Sequence, residues 1–181
     1  SFEEMEPAPH PVLDRGRRPM MKIIQEQDLL LTYPYQSFDN VIRLLREAAI
    51  DPEVEEIKMT LYRVARRSQV VNALINAARN GKKVFASIEL QARFDEKNNI
   101  KISEVLTESG ATVVYGVPPM KVHCKLLLIK GKRTRLAGLS TGNYNEATAR
   151  QYVDTALLTS DKRLTDEVDL VFDYLDAASK M

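Results

Sequence analysis

In Lys121-Val122-His123-Cys124-Lys125 a histidine stands between two lysines at alternate positions. Alternate side chains of an extended strand share a face, so Lys121, His123 and Lys125 would point one way and Val122, Cys124 and Leu126 the other. An imidazole between two ammonium groups suits an anionic substrate. The cations attract phosphate oxygens and disfavour protonation of the ring, which keeps a nitrogen lone pair free for nucleophilic attack. The same spacing also describes a surface strand with alternating basic residues and an incidental histidine. Cys124, on the apolar side, reads as a small core residue, and His10, in a proline-rich stretch, as incidental.

Two further groups could serve an anionic ligand. Thr141-Gly142-Asn143-Tyr144-Asn145 offers a glycine that permits close backbone approach and an amide, Asn143, able to orient an imidazole or donate to phosphate. It is equally the text of a plain turn. Arg63 closes one strand-like run and Arg93 follows another, in Leu90-Gln91-Ala92-Arg93-Phe94-Asp95-Glu96. Ligands of α/β sheets gather beyond the carboxyl ends of strands, where a guanidinium grips phosphate through paired hydrogen bonds. Arg93 could instead pair with Glu89, Asp95 or Glu96, and Arg63 could belong to a solvated run with Arg66 and Arg67. No glycine-rich phosphate loop or dinucleotide fingerprint is present, so a bound nucleotide must be held by arginines, lysines and isolated polar groups.

The elements that must position these residues are legible from Asp28 onward. Leu29-Leu30-Leu31 leads to Tyr33-Pro34-Tyr35 as a strand or turn entry. Ser37 caps a helix carrying Val41, Leu44, Leu45 and Ala48, ended by Asp51-Pro52. Ile57, Met59 and Leu61 alternate with Lys58, Thr60 and Tyr62, a strand with one polar face over 56–63. Ser68 caps a second helix with Val71, Leu74, Ile75 and Ala78, stopped near Asn80-Gly81. A strand over 84–90, a helix with Ile102, Val105 and Leu106 stopped at Gly110, and a short strand over 112–115 follow. Strands over 122–129 and 133–139, joined through Lys130-Gly131-Lys132, predict an antiparallel hairpin. A short helix over 145–151, a strand over 153–159 and a closing helix with Val168, Val171, Phe172 and Leu175 complete the chain. Strand–helix alternation followed by a hairpin predicts an α/β domain whose mixed sheet is flanked by helices.

Residues 1–22 carry prolines at 7, 9, 11 and 19 and the basic knot Arg15-Gly16-Arg17-Arg18, with no strand or helix period. They are expected to be mostly extended, so that 1–27 is a linker or arm from a preceding domain and 28–181 one domain of a longer chain. The chain opens on Ser1 rather than Met, which agrees with that expectation. The 181 residues hold 26 Lys plus Arg and 25 Asp plus Glu, for a net charge of +1, which argues against a protein that coats nucleic acid or an anionic membrane. One cysteine allows no internal disulfide, and with two histidines it cannot build an ordinary four-ligand zinc site. No apolar run approaches the roughly 18 residues of a membrane span and no signal-peptide pattern opens the chain, so a soluble domain of a reducing compartment is expected.

Taken together, Ile57-Lys58-Met59-Thr60-Leu61-Tyr62-Arg63, the 89–96 segment, Lys121-Val122-His123-Cys124-Lys125, and Thr141-Gly142-Asn143-Tyr144-Asn145 with Thr148-Ala149-Arg150 resemble polyphosphate kinase, a multidomain bacterial enzyme. The similarity runs from about Asp28 to the closing helix, with the motifs in family order. The His-x-Lys and Gly-x-Asn elements are also those of the phospholipase D superfamily, so the resemblance implies a phospholipase-D-like fold and the first of two C-terminal catalytic domains. It further implies reversible transfer of the terminal phosphate of ATP to polyphosphate. His123 would be the residue phosphorylated, with Lys125 and Asn143 as further catalytic groups, while Arg63 and Arg93 lie at a magnesium and phosphate site and Tyr152 contacts nucleotide. A guanidinium has no lone pair to offer a metal, so Mg2+ would meet Arg63 and Arg93 through phosphate oxygens, not as direct ligands.

Two departures from the pattern stand out. The phospholipase D signature carries Asp five residues after its lysine, where this chain has Lys130, and the usual Gly-Thr-Gly-Asn is Ser140-Thr141-Gly142-Asn143. Lys130 reads as an exposed residue able to help bind a polyanion. The expected partners are ATP or ADP, polyphosphate, the other domains of the same full-length chain and, in the intact enzyme, a second copy of it, with no nucleic acid. The expected location is the cytoplasm, with membrane association of the intact enzyme left open. A phospholipase-D-type phosphodiesterase or nuclease working as a dimer, and a module that binds ATP or polyphosphate without turnover, are the alternatives.

Overall fold

Apolar runs of period two and of period 3.6 alternate along the chain. The computed structural model, which describes residues 10, 12, 18–32, 39–61, 68–88, 96–115, 125–140 and 155–181, gathers them round one sheet of seven strands. In chain order the elements are α1 (Met20–Glu26), β1 (Leu29–Thr32), α2 (Asp39–Ile50), β2 (Val54–Leu61), α3 (Gln69–Arg79), β3 (Lys83–Ile88), α4 (Glu96–Glu108), β4 (Thr112–Tyr115), β5 (Lys125–Gly131), β6 (Arg135–Ser140), β7 (Thr155–Thr159) and α5 (Lys162–Ser179). The strand order is β1-β7-β6-β5-β2-β3-β4. β2, β3 and β4 run parallel, whereas β5, β6, β7 and β1 pair antiparallel, and β5 meets β2 antiparallel to join the halves. The mixed sheet expected from the sequence, including the β5–β6 hairpin, is present.

Helices α1 to α4 cover one face. Val41, Leu44, Leu45 and Ala48 of α2 and Val71, Leu74 and Ile75 of α3 are buried against Ile57, Met59 and Leu61 of β2 and Val84, Ala86 and Ile88 of β3. The Ser68 hydroxyl accepts from the Val70 N–H, 3.2 Å, as an N-cap should. Gly81, at φ +87°, lets the Gly81 and Lys82 N–H groups reach back to Ala78 and Ala77 and stop α3. Ala78 is only partly buried, and Val105, expected on the inner face of α4, is 37% exposed at the mouth of a groove between α3 and α4.

Helix α5 lies on the opposite face with a second cluster: Phe172, Val168 and Leu175 against Phe85, Leu126, Leu128 and Ala137. Phe85 and Phe172 meet edge to face with centroids 6.0 Å apart. β5 is therefore buried on both sides, with Leu126 to Ile129 no more than 5% exposed, which is why its text is a continuous apolar run. The polar face expected for β2 is covered as well, since Thr60 is 3% exposed and the Lys58 side chain 15%.

The extended reading of 1–22 is corrected at its end. Met20 to Glu26 is helical, and Met20, Met21, Ile23 and Ile24 are buried in the core under α2. This start has no side-chain cap of its own. The Met20 and Met21 N–H groups donate to the Glu47 carboxylate of α2, at 3.0 and 3.3 Å, so the capping group is distant in sequence. His10 is buried too, its Nδ1 accepting from the Val12 N–H at 3.2 Å. The short helix expected over 145–151 lies outside the described residues. Among the described residues no helix is long and apolar enough to cross a membrane.

Candidate functional site

Strand polarity decides where the candidate residues attach. The parallel register aligns Leu61 with Ile88 and Ile88 with Tyr115, so β2, β3 and β4 end in one row. The antiparallel strands meet the same row from the other side: Lys125 opens β5 opposite Ser140, the last residue of β6, and Thr155 opens β7 opposite Thr32, the last of β1. Each sequence segment carrying a candidate group thus adjoins this row: 62–67 with Arg63, 89–95 with Arg93, 116–124 with His123, and 141–154 with Asn143 and Tyr152. Those five residues, and Cys124, lie outside the described residues. Their anchoring strand ends share one edge of the sheet. Helices α3 and α4 run back from that edge, so their N-terminal ends, which favour negative charge, are on the same side.

Lys125 is the one predicted site residue whose position is described. It begins β5, half-buried, on the face that Leu127 and Ile129 continue, while Leu126 points under α5. Among the described residues the register of β2 on β5 runs to Met59↔Leu127, that of β2 on β3 to Leu61↔Ile88, and that of β5 on β6 starts at Lys125↔Ser140. Next to it the Leu126 N–H donates to the Thr60 hydroxyl at 2.8 Å, and that hydroxyl donates to the Leu126 carbonyl at 3.4 Å. The sequence reading placed Thr60 on a polar strand face and gave it no role, because its partner is 66 positions away.

The far end of the sheet is built differently. Lys130 is not an exposed polyanion contact. Its ammonium is 2.9 Å from Asp169 of α5, with its side chain 22% exposed. Lys58 lies 3.6 Å from the other Asp169 oxygen, and Arg135 reaches both Asp169 and Asp166 at 3.4 and 3.3 Å. Three cations from neighbouring strands thus converge on α5. Among the described residues the displaced titrations also fall at this end. Asp166 is held below the ordinary carboxylate range, first by the hydrogen bond from Lys162 and then by the charges of Lys162 and Arg135. Glu26 is lowered by its hydrogen bonds from Arg18, and Arg18 raised by the same pair.

Between α3 and α4 a shallow groove of about 240 Å³ carries Val71, Ile75, Val105 and Lys101.

The chain from residue 19 to 181 matches the family described as polyphosphate kinase C-terminal domain 1. The polyphosphate kinase of Escherichia coli (strain K12) is 49% identical over 157 residues, 84% of this chain and 23% of that protein. That of Vibrio cholerae serotype O1 is 50% identical over 157 residues, 84% of this chain and 22% of the relative. This chain therefore spans about a quarter of the length of these relatives. Among solved structures, the polyphosphate kinase from Porphyromonas gingivalis superposes with a TM-score of 0.85 at 44% identity, over 96% of this chain and 30% of that one. The phospholipase D family member Nuc from Salmonella typhimurium superposes with a TM-score of 0.66 at 16% identity, over 84% and 95% of the two chains, a likeness of fold alone. With this phospholipase-D-like α/β fold and a family match over nearly all its length, the chain belongs to the polyphosphate kinase family, as its C-terminal domain 1.

Proposed function

We propose that this domain carries the phosphorylated histidine of a polyphosphate kinase. The ring of His123 attacks the γ-phosphorus of ATP; a P–N bond forms as the bond to the β,γ-bridging oxygen breaks, and ADP leaves with that oxygen. The terminal oxygen of a polyphosphate chain then attacks the same phosphorus, the P–N bond breaks, and the imidazole is released. A phosphoramidate passes its phosphoryl group in either direction, so the reaction is reversible. Phosphoryl transfer depends on positioning and charge neutralisation more than on proton movement. Lys125, Arg63 and Arg93 supply positive charge, Asn143 orients the imidazole or the transferred group, and Tyr152 contacts the nucleotide.

Among the described residues no cluster of three His, Cys, Asp or Glu could ligate a metal. Mg2+ would accompany the nucleotide on its phosphate oxygens, which Arg63 and Arg93 grip in turn. Other domains of the full-length chain, and a second copy of it, complete the site, and the cytoplasm supplies ATP. The observation that carries this reading is the single row of strand ends from Thr32 to Tyr115, which the segments bearing all of these residues adjoin, within a chain of this family.

The test uses the full-length chain that carries this domain, given γ-labelled ATP. Label retained on the protein, stable to alkali and labile to acid, is the expected result. His123→Ala should abolish both labelling and polyphosphate synthesis, and Cys124→Ala should leave both nearly unchanged. Label persisting in the His123→Ala protein would end the proposal.

A further inference from the structure

We infer that the α5 side of the sheet is a docking surface for another domain of the full-length polyphosphate kinase chain, seated on β1, β7 and the outer face of α5. The register draws one row across four strands, Leu126↔Leu139, Leu139↔Leu157 and Leu157↔Leu30, and directly opposed residues share a face. Leu126 belongs to the cluster under α5, so the whole row lies on that side. Cover is lost along it. Leu126 is buried, Leu139 and Leu157 are partly buried, and Leu30 is 56% exposed. Leu29 and Leu31 are buried on the other face, so β1 carries leucine on both sides and only one side is covered.

Helix α5 repeats the pattern. Val168, Phe172 and Leu175 pack on the sheet, yet Leu170 and Tyr174, one turn apart on the opposite side, are 66% and 49% exposed, with exposed Ala177 beside them. A surface helix turns polar side chains outward, whereas a helix that is apolar on both sides is one that is covered on both. The sheet leaves room for the cover. Seven strands about 4.8 Å apart make a face roughly 30 Å wide, which one helix about 10 Å across cannot fill. The bare pair β1 and β7 offers a strip of about 10 Å, the footprint of one further helix. About three-quarters of each relative's length lies outside this domain, so the same chain supplies the cover. The inference rests on the reading above in which other domains complete the site.

The experiment uses the full-length chain with Cys124→Ala as background. Leu30→Cys, Leu170→Cys and, for reference, Ile50→Cys are labelled with a maleimide in buffer and in urea, and the modified peptides are read by mass spectrometry. Ile50 is exposed at the end of α2, on the other face of the sheet. At positions 30 and 170 the native rate should fall at least about tenfold below the unfolded rate, because a covered thiol reacts only when the structure opens. At position 50 it should stay within about threefold of the unfolded rate. Protection should persist on about hundredfold dilution of the enzyme, as it must when the cover belongs to the same chain. Free labelling at either 30 or 170 would overturn the inference. Protection lost on dilution would overturn the choice of occupant, since a second copy then covers the face. If a cysteine variant does not fold, hydroxyl-radical footprinting of the unsubstituted chain makes the same comparison, corrected for intrinsic reactivity. Leu170 and Tyr174 modified several-fold less than Ile50 sustains the docking surface, and equal modification removes it. None of these readouts involves His123, so label from ATP persisting in His123→Ala ends the phosphohistidine reading and leaves this surface standing.

Discussion

Asp166 shows how a charged side chain of this domain is tied to fold stability. Lys162 donates to it at 2.8 Å from one turn earlier on α5, and Arg135 of β6 approaches at 3.3 Å. Its carboxyl is therefore lowered, by the Lys162 hydrogen bond first, against some opposing desolvation. A carboxylate whose folded pKa is depressed stabilises the fold above its unfolded pKa, and that contribution disappears as pH falls through the folded pKa. The window lies below the ordinary aspartate value of about 3.9. Following the Asp166 carboxyl carbon by NMR during acid titration should show a midpoint below that value in wild type and a return toward it in Lys162→Gln. An unchanged midpoint in the variant would refute the assignment of the cause. The side chain is open to solvent, so raised salt should weaken the same shift.

At the scale of elements, α3 is the clearest case of sequence dictating packing. Ser68 starts it, Gly81 ends it, and between them Val71, Leu74 and Ile75 face the sheet. Leu74 is fully buried against β2 and β3, so Leu74→Ala should destabilise the fold by about 2–5 kcal/mol, the transfer term plus the cavity left behind. Urea unfolding of the two proteins measures it, and a loss below 1 kcal/mol would show that the site collapses around the smaller side chain. Helix α5 is held by other means as well as by Phe172. Asp169 is 13% exposed and receives Lys58 and Lys130 from two adjacent strands, so the helix is keyed to the sheet by charge.

Over the whole molecule, strand direction separates two ends with different work. The end bearing Lys125, Ser140, Leu61, Ile88 and Tyr115 adjoins the segments with the residues proposed to handle phosphate; the end bearing Lys130, Arg135 and Asp169 locks α5. Charge changes should divide accordingly. On the phosphoryl transfer proposed above, Lys125→Gln in the full-length chain should lower polyphosphate synthesis by about 10²-fold or more. Lys132→Gln, exposed in the β5–β6 turn at the far end, should leave turnover and polyphosphate affinity within about twofold of wild type, the range of an exposed charge more than a Debye length from its target. Equal losses in the two variants would contradict the division.

The sequence by itself determined the element series, the hairpin, the caps of α3 and, through the long ordered motifs of 57–63, 89–96, 121–125 and 141–150, the family. Those features are local: period, cap and turn chemistry act within a few residues, and a motif is read in a line. Tertiary structure decided what depends on distant pairs. Helix α1 was invisible because its cap is Glu47 of another helix, and Lys130 changed from a free cation to the partner of Asp169 once α5 covered the sheet. Thr60 gained a partner only when β5 was laid beside β2 and brought the Leu126 N–H to its hydroxyl. Which strand ends share one edge of the sheet is likewise a property of chain direction within it. No single strand carries that information, since polarity acquires meaning only against a neighbour.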